Sequence, residues 1–181
     1  MQLFLINFIL IAYYLFSVVR ADMTTDAIQL QGLASDTADT IFASLNGTAY
    51  LNTSDLVSRV TAAVQGADSM VISNVSSSGT ANVTLNDAYF NFVDSMLYLA
   101  DTVQRRGRLF HSELNLPVYQ ALQNLSSAVS TYGHDLTSHS LIQRNSTIRT
   151  MTTGSAIVNA QSAWANNQNY PGKRETSSWS G

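Results

Sequence analysis

Apolar residues recur at three- and four-residue steps along most of this chain, and the densest run lies between Thr84 and Gly107. At the ~100° per residue of an α-helix, Leu85, Ala88, Tyr89, Phe92, Val93, Met96, Leu99, Ala100 and Val103 fall on one face. Phe90 and Leu97 widen that arc to roughly 200°, against the ~100° stripe of an ordinary surface helix. A helix apolar over so wide an arc needs neighbours on several sides, so 84–106 is expected at the centre of a bundle. Thr84 with Asp87 reads as a capping box at its start, and Arg105 and Arg106 before Gly107 as its stop.

The same period predicts helices on both sides. Ala27, Leu30, Ala34, Ala38, Ile41 and Leu45 mark a helix over 24–46, with an alanine face that permits close approach to a neighbour. Leu56, Val60, Val64, Ala67 and Val71 mark a second, opening at Asn52/Thr53/Ser54 and ending before the Ser-Ser-Ser-Gly turn at 76–79. After Gly107, the residues Leu109, Phe110, Leu114 and Leu116 predict a short apolar segment lying across one end of the bundle. Pro117 suits the first position of a fourth helix, whose buried face is Val118, Ala121, Leu122, Leu125, Val129, Tyr132 and Leu136. The last helix, 146–165, offers two rival faces: Ile148, Met151 and Val158, or Ile157, Ala160 and Trp164. The fold class expected is all-α, an antiparallel bundle of about five helices over 22–170.

Residues 2–19 form an apolar run without a charge, followed by V-R-A at 19–21. The small residues favour a secretory signal peptide, 1–21, cut before Asp22; an uncleaved membrane anchor is the rival. The 181-residue chain contains no cysteine, so the bundle must be stabilised by packing and has no thiolate nucleophile, thiolate metal site or disulfide. Six N-x-Ser/Thr sequons follow, at Asn46, Asn52, Asn74, Asn82, Asn124 and Asn145. Behind a signal peptide they predict an extracellular glycoprotein; Asn74, on the apolar side of its helix, is the least suited to carry a glycan. The tail 171–181 has no apolar period and is expected to be disordered. Its Lys173-Arg174 pair is either a processing site or a plain solvated pair.

Candidate chemistry is sparse. His111, His134 and His139 form no metal motif, no serine stands in G-x-S-x-G, and no glycine-rich phosphate loop occurs. Asp87, Asp94 and Asp101 repeat at seven residues on the polar side of the central helix and read as a solvated flank. A net charge of −3 gives nucleic-acid binding no electrostatic basis. The expectation is a protein that is not an enzyme and has no metal or cofactor.

The central LNDAYFNFVDSMLYLADTV, the RRGRLF that follows it, and then LPVYQALQNLSSAVSTYGHDL, in a cysteine-free Ala/Ser/Thr-rich chain, resemble the hydrophobic surface binding protein A family. That group of fungal secreted proteins includes the cell wall galactomannoproteins. The likeness is one of pattern and order from about Ala27 to Trp164. It implies an extracellular or cell-wall helical bundle that adsorbs to hydrophobic surfaces or takes a lipid or fatty-acid chain between its helices. Cell-wall polysaccharide or a secreted hydrolase is a further partner it implies, and it offers no catalytic residues. Independently of the likeness, a wide apolar centre with a flexible methionine would part to admit a chain, with Tyr89, Phe92, Met96 and Leu99 as the contacting wall. The alternative is a structural wall mannoprotein that displays glycans and holds no apolar ligand.

Overall fold

The computed structural model of the protein describes the backbone of residues 2–45, 50–74, 83–109 and 111–165, with side chains from Met23 onward except that of Asn74. Among these residues there are five α-helices and no strand: α1 (Gln2–Ala43), α2 (Thr53–Asn74), α3 (Val83–Arg108), α4 (Asn115–Ser138) and α5 (Arg144–Ala163). The all-α bundle expected from the period is the observed fold.

Helices consecutive in sequence run antiparallel, but the closest neighbours in space are often parallel. Ser35 bonds Ser95, Asp39 bonds Tyr98 and Ser44 bonds Arg106, so α1 and α3 ascend together. Asn86 bonds Ser146, Tyr89 bonds Thr150 and Val103 bonds Trp164, so α3 and α5 ascend together as well. The result is one layer of α1, α3 and α5 with α3 in the middle, and a second layer of α2 and α4 packed on each other. Each connection crosses from one layer to the other. Centrality of α3 follows from this arrangement: it borders α1 and α5 and sends Tyr89 and Phe92 across to Tyr132 of α4.

The nine residues predicted to face inward from α3 are all buried. So are Ala27, Leu30, Ala34, Ala38 and Ile41 of α1, whereas Leu45 lies in the turn beyond that helix and is partly exposed. In α2, Val57 takes the deep position expected for Leu56, which is only partly buried against the core. In α4 all seven predicted core positions are buried, and Pro117 sits in the first turn, two residues further in than expected. The α4–α5 turn closes with Ser140 at φ 57° and a Leu141 N–H to Leu136 carbonyl bond of 2.9 Å, the pattern of a left-handed helix stop.

Gly107 does not end α3. It is buried inside the helix, and a Cβ there would come within 2.5 Å of the Trp164 indole nitrogen. The glycine is needed for close packing of α5 on α3, not for backbone freedom. In α5 the face Ile157, Ala160 and Trp164 is the buried one, and Ile148, Met151 and Val158 are exposed. The rest of the α5 inner face is polar: Ser146, Thr150 and Thr153 are buried and bond Asn86, Tyr89 and the Val93 carbonyl of α3.

The expected signal-peptide side chains, the Asn46 and Asn82 sequons, the 76–79 turn and the 171–181 tail with Lys173-Arg174 lie outside the described residues. The register of α1 against α3 brings Met23 level with Val83, the first residue of α3. Among the residues whose side chains are described, from Met23 onward, no helix is long and apolar enough to cross a membrane.

Candidate functional site

The turn between α3 and α4 inverts the pattern expected of it. Leu109, Leu114 and Leu116 face outward at 42%, 64% and 54% exposure, while His111, Glu113 and Asn115 are buried. Phe110 lies outside the described residues. Leucines come out because the polar residues are held inside by stronger contacts. Glu113 and Arg106 form an ion pair with side chains 4% and 2% exposed. Arg106 donates from Nε to Glu113 Oε1, and from its terminal nitrogen to the Ser44 carbonyl and hydroxyl at 3.2 and 2.9 Å. The other Glu113 oxygen accepts the Thr53 N–H at 2.8 Å.

That placement is electrostatically ordered. The guanidinium meets the carbonyl-rich end of α1, and the carboxylate meets the N–H-rich start of α2, so each charge opposes the partial charge of a helix end. One ion pair thus ties together α1, α2, α3 and the turn into α4. Beside it, His111 lies against Trp164 with ring centroids 4.4 Å apart, and the indole N–H donates to the Val103 carbonyl at 3.0 Å. Phe42 and Tyr50, also largely exposed, belong to the same end of the bundle. This tip of the bundle therefore has a polar interior built around a buried ion pair, and an apolar exterior.

Tyr89, Phe92, Met96 and Leu99 are fully buried. Tyr89 and Phe92 pack with Tyr132 at centroid separations of 5.9 to 6.1 Å, and the Tyr89 hydroxyl lies 2.6 Å from that of Thr150. Burial pushes the Tyr89 phenol up to about 12, against a smaller lowering by the Thr150 bond. The four residues form the closed middle of the core, and a chain would touch them only after the layers part.

Asn52, Asn124 and Asn145 are exposed. The Asn52 carbonyl oxygen caps α2 by accepting from the Asp55 N–H and the Ser54 hydroxyl. Its amide nitrogen is the atom a glycan would use, so capping and glycosylation are compatible. Asn74 is the last residue of α2. Asp87, Asp94 and Asp101 are exposed as expected, the latter two paired with Arg149 and Arg105. Among the described residues no three His, Asp or Glu side chains gather in a way that would hold a metal ion.

Sequence reasoning missed the buried Arg106–Glu113 pair. Its one trace is the alternation H-S-E-L-N-L at 111–116, which puts His111, Glu113 and Asn115 on the side opposite Leu114 and Leu116. Compared with protein-family models, curated proteins and solved structures, the chain matches none of them.

Proposed function

We propose that the chain is a secreted, non-catalytic glycoprotein of the cell wall or extracellular space that binds hydrophobic surfaces and lipid chains, in the manner of hydrophobic surface binding protein A. The observation that carries this reading is the inverted turn at 109–116. Leucines held outward on a frame fixed by a buried ion pair lose little side-chain and backbone freedom on contact, so their burial goes largely into adhesion. Burying one leucine contributes about 1.5–3 kcal/mol. Secretion is supported by the 2–19 apolar run, which precedes the register point where α1 joins the bundle, and by three exposed sequons.

Depletion of the purified protein from solution by polyester or wax particles tests the proposal. The double substitution Leu114→Ser, Leu116→Ser is expected to weaken adsorption tenfold or more, by ~1.5–3 kcal/mol per leucine, and to leave the melting temperature unchanged. Undiminished adsorption of that variant would remove the tip as the binding surface. The second reading, a wall mannoprotein that displays glycans, is favoured by the exposure of Asn52, Asn124 and Asn145. It predicts no depletion by particles for the parent protein.

A further inference from the structure

The charges at the leucine tip are paired so that one is left over. Arg59 holds Asp55 at 2.8 Å, Arg105 holds Asp101 at 2.8 Å, and Arg106 holds Glu113. Arg108, the last residue of α3 and the neighbour of Leu109, is exposed and enters no salt bridge among the described residues. The first carboxylate met outside those pairs is Asp39 of α1, set level with Tyr98 by a hydrogen bond of 2.9 Å. From Tyr98 to Arg108, α3 rises about 15 Å.

The opposite end carries the negative charge. Asp87 stands in the early turns of α3, and the Ser35–Ser95 bond sets Asp26 of α1 level with Asn86. Asp68 and Asp135 meet between α2 and α4, beside the level at which Tyr132 packs on Tyr89. Arg144, the first residue of α5, is a cation of that end in no salt bridge among the described residues. Between Asp87 and Arg108 the helix rises about 30 Å. That is several times the ~8 Å screening length of physiological salt. A surface touching the tip therefore meets the field of Arg108 and little of the acidic end, although the whole chain has a net charge of −3.

We infer that this end docks on a phospholipid bilayer bearing net negative lipid, with Leu109, Leu114 and Leu116 entering the acyl boundary and the Arg108 guanidinium donating to headgroup phosphate. An arginine stem lies along apolar surface while its charge stays in the polar layer, and its planar fork matches phosphate oxygens. Tyr50, 69% exposed at the same end, suits the headgroup level, where rings with an apolar body and a polar edge collect. A wax or polyester face offers the guanidinium no partner. The inference rests on the adhesive reading of the leucine tip and adds the charge of the surface it prefers.

Co-sedimentation of the full chain with vesicles at physiological salt tests it, one set of phosphatidylcholine alone and one of phosphatidylcholine mixed with phosphatidylglycerol. The mixed vesicles are expected to bind about fivefold tighter, the scale of one cation at an anionic surface. Arg108→Gln is expected to bring the two affinities close together, whereas Arg144→Gln, which changes the net charge equally at the far end, keeps them apart. The double substitution Leu114→Ser, Leu116→Ser is expected to weaken binding to both vesicles about tenfold or more. Equal binding of the parent to both vesicles, a preference that survives Arg108→Gln, or one lost equally with Arg144→Gln overturns the inference. Undiminished vesicle binding by the leucine variant overturns it too, because the contact then lies elsewhere. Absence of binding to either vesicle, while polyester particles still deplete the protein, overturns the bilayer and leaves the adhesive reading standing. If the particles fail to deplete it as well, both fall.

Discussion

The two ends of this bundle pair their charges in opposite ways. At the tip, Arg106 and Glu113 are of opposite sign, and their remaining hydrogen-bonding capacity goes to Ser44 and Thr53 at the helix ends. At the other end, Asp68 and Asp135 are of the same sign, and Asp68 Oδ1 and the Tyr132 hydroxyl are buried without partners. The first arrangement fixes four segments in place. The second sets two like charges side by side between α2 and α4. Arg106 and Glu113 are buried and opposite in sign, whereas Asp68 and Asp135 are half-buried and alike in sign, so only the first pair is an attraction that holds segments together.

The comparison breaks first at Glu113. Glu113→Ala strands the Arg106 guanidinium in a buried setting and frees the α2 start, and such losses cost about 3–5 kcal/mol. Denaturant unfolding of this variant is expected to show the largest destabilisation of any single change named here. A result within about 1 kcal/mol of the parent would mean that the pair carries no weight in the frame.

The core between the ends responds to alkali. Tyr89 is pushed up to about 12 from its ordinary value of 10.0, so its raised folded value contributes stability fully present below pH 10. That contribution is lost as the pH rises from about 10 to about 12, on the order of 3 kcal/mol at ~1.4 kcal/mol per unit. Melting temperatures across that window, with phenolate absorbance recorded in parallel, check the sign. Next in size is Gly107→Ala, which drives a methyl against the Trp164 indole and is expected to cost about 1–3 kcal/mol. The smallest effect belongs to the unsatisfied end. Asp68→Asn removes the repulsion with Asp135 and is expected to raise stability at pH 7 by less than about 1 kcal/mol, with the gain vanishing as acid protonates Asp68 in the parent.

The bundle is legible in the sequence wherever burial is apolar. The nine central positions of the α3 arc are inside and Phe90 and Leu97 at its margin are half-buried, because a 3.6-residue period and an apolar neighbour on each side are the same requirement. Legibility fails where tertiary hydrogen bonds replace apolar contact. In α5 the inner face is completed by Ser146, Thr150 and Thr153, residues that read as solvent-facing until Asn86, Tyr89 and the Val93 carbonyl are placed opposite them. Hence two rival apolar faces stand equal in the sequence, and the one exposed contains Ile148, Met151 and Val158. Gly107 misleads for a similar reason, since its partner Trp164 lies on another helix and a glycine after two arginines fits a helix stop. At the tip, hydrophobicity alone does not decide which side of the 109–116 turn goes in. A charge pair that satisfies two helix ends outweighs three leucines there.

The alternation of the chain between two layers has a consequence for biosynthesis. The row α1, α3, α5 acquires its final member only with Arg144–Ala163, near the C-terminal end of the described chain. A nascent polypeptide still held at the ribosome would show one flank of α3 bare until that last coil emerges, so closure of the whole body is a late event, and truncation within α5 would leave a sticky intermediate rather than a smaller domain.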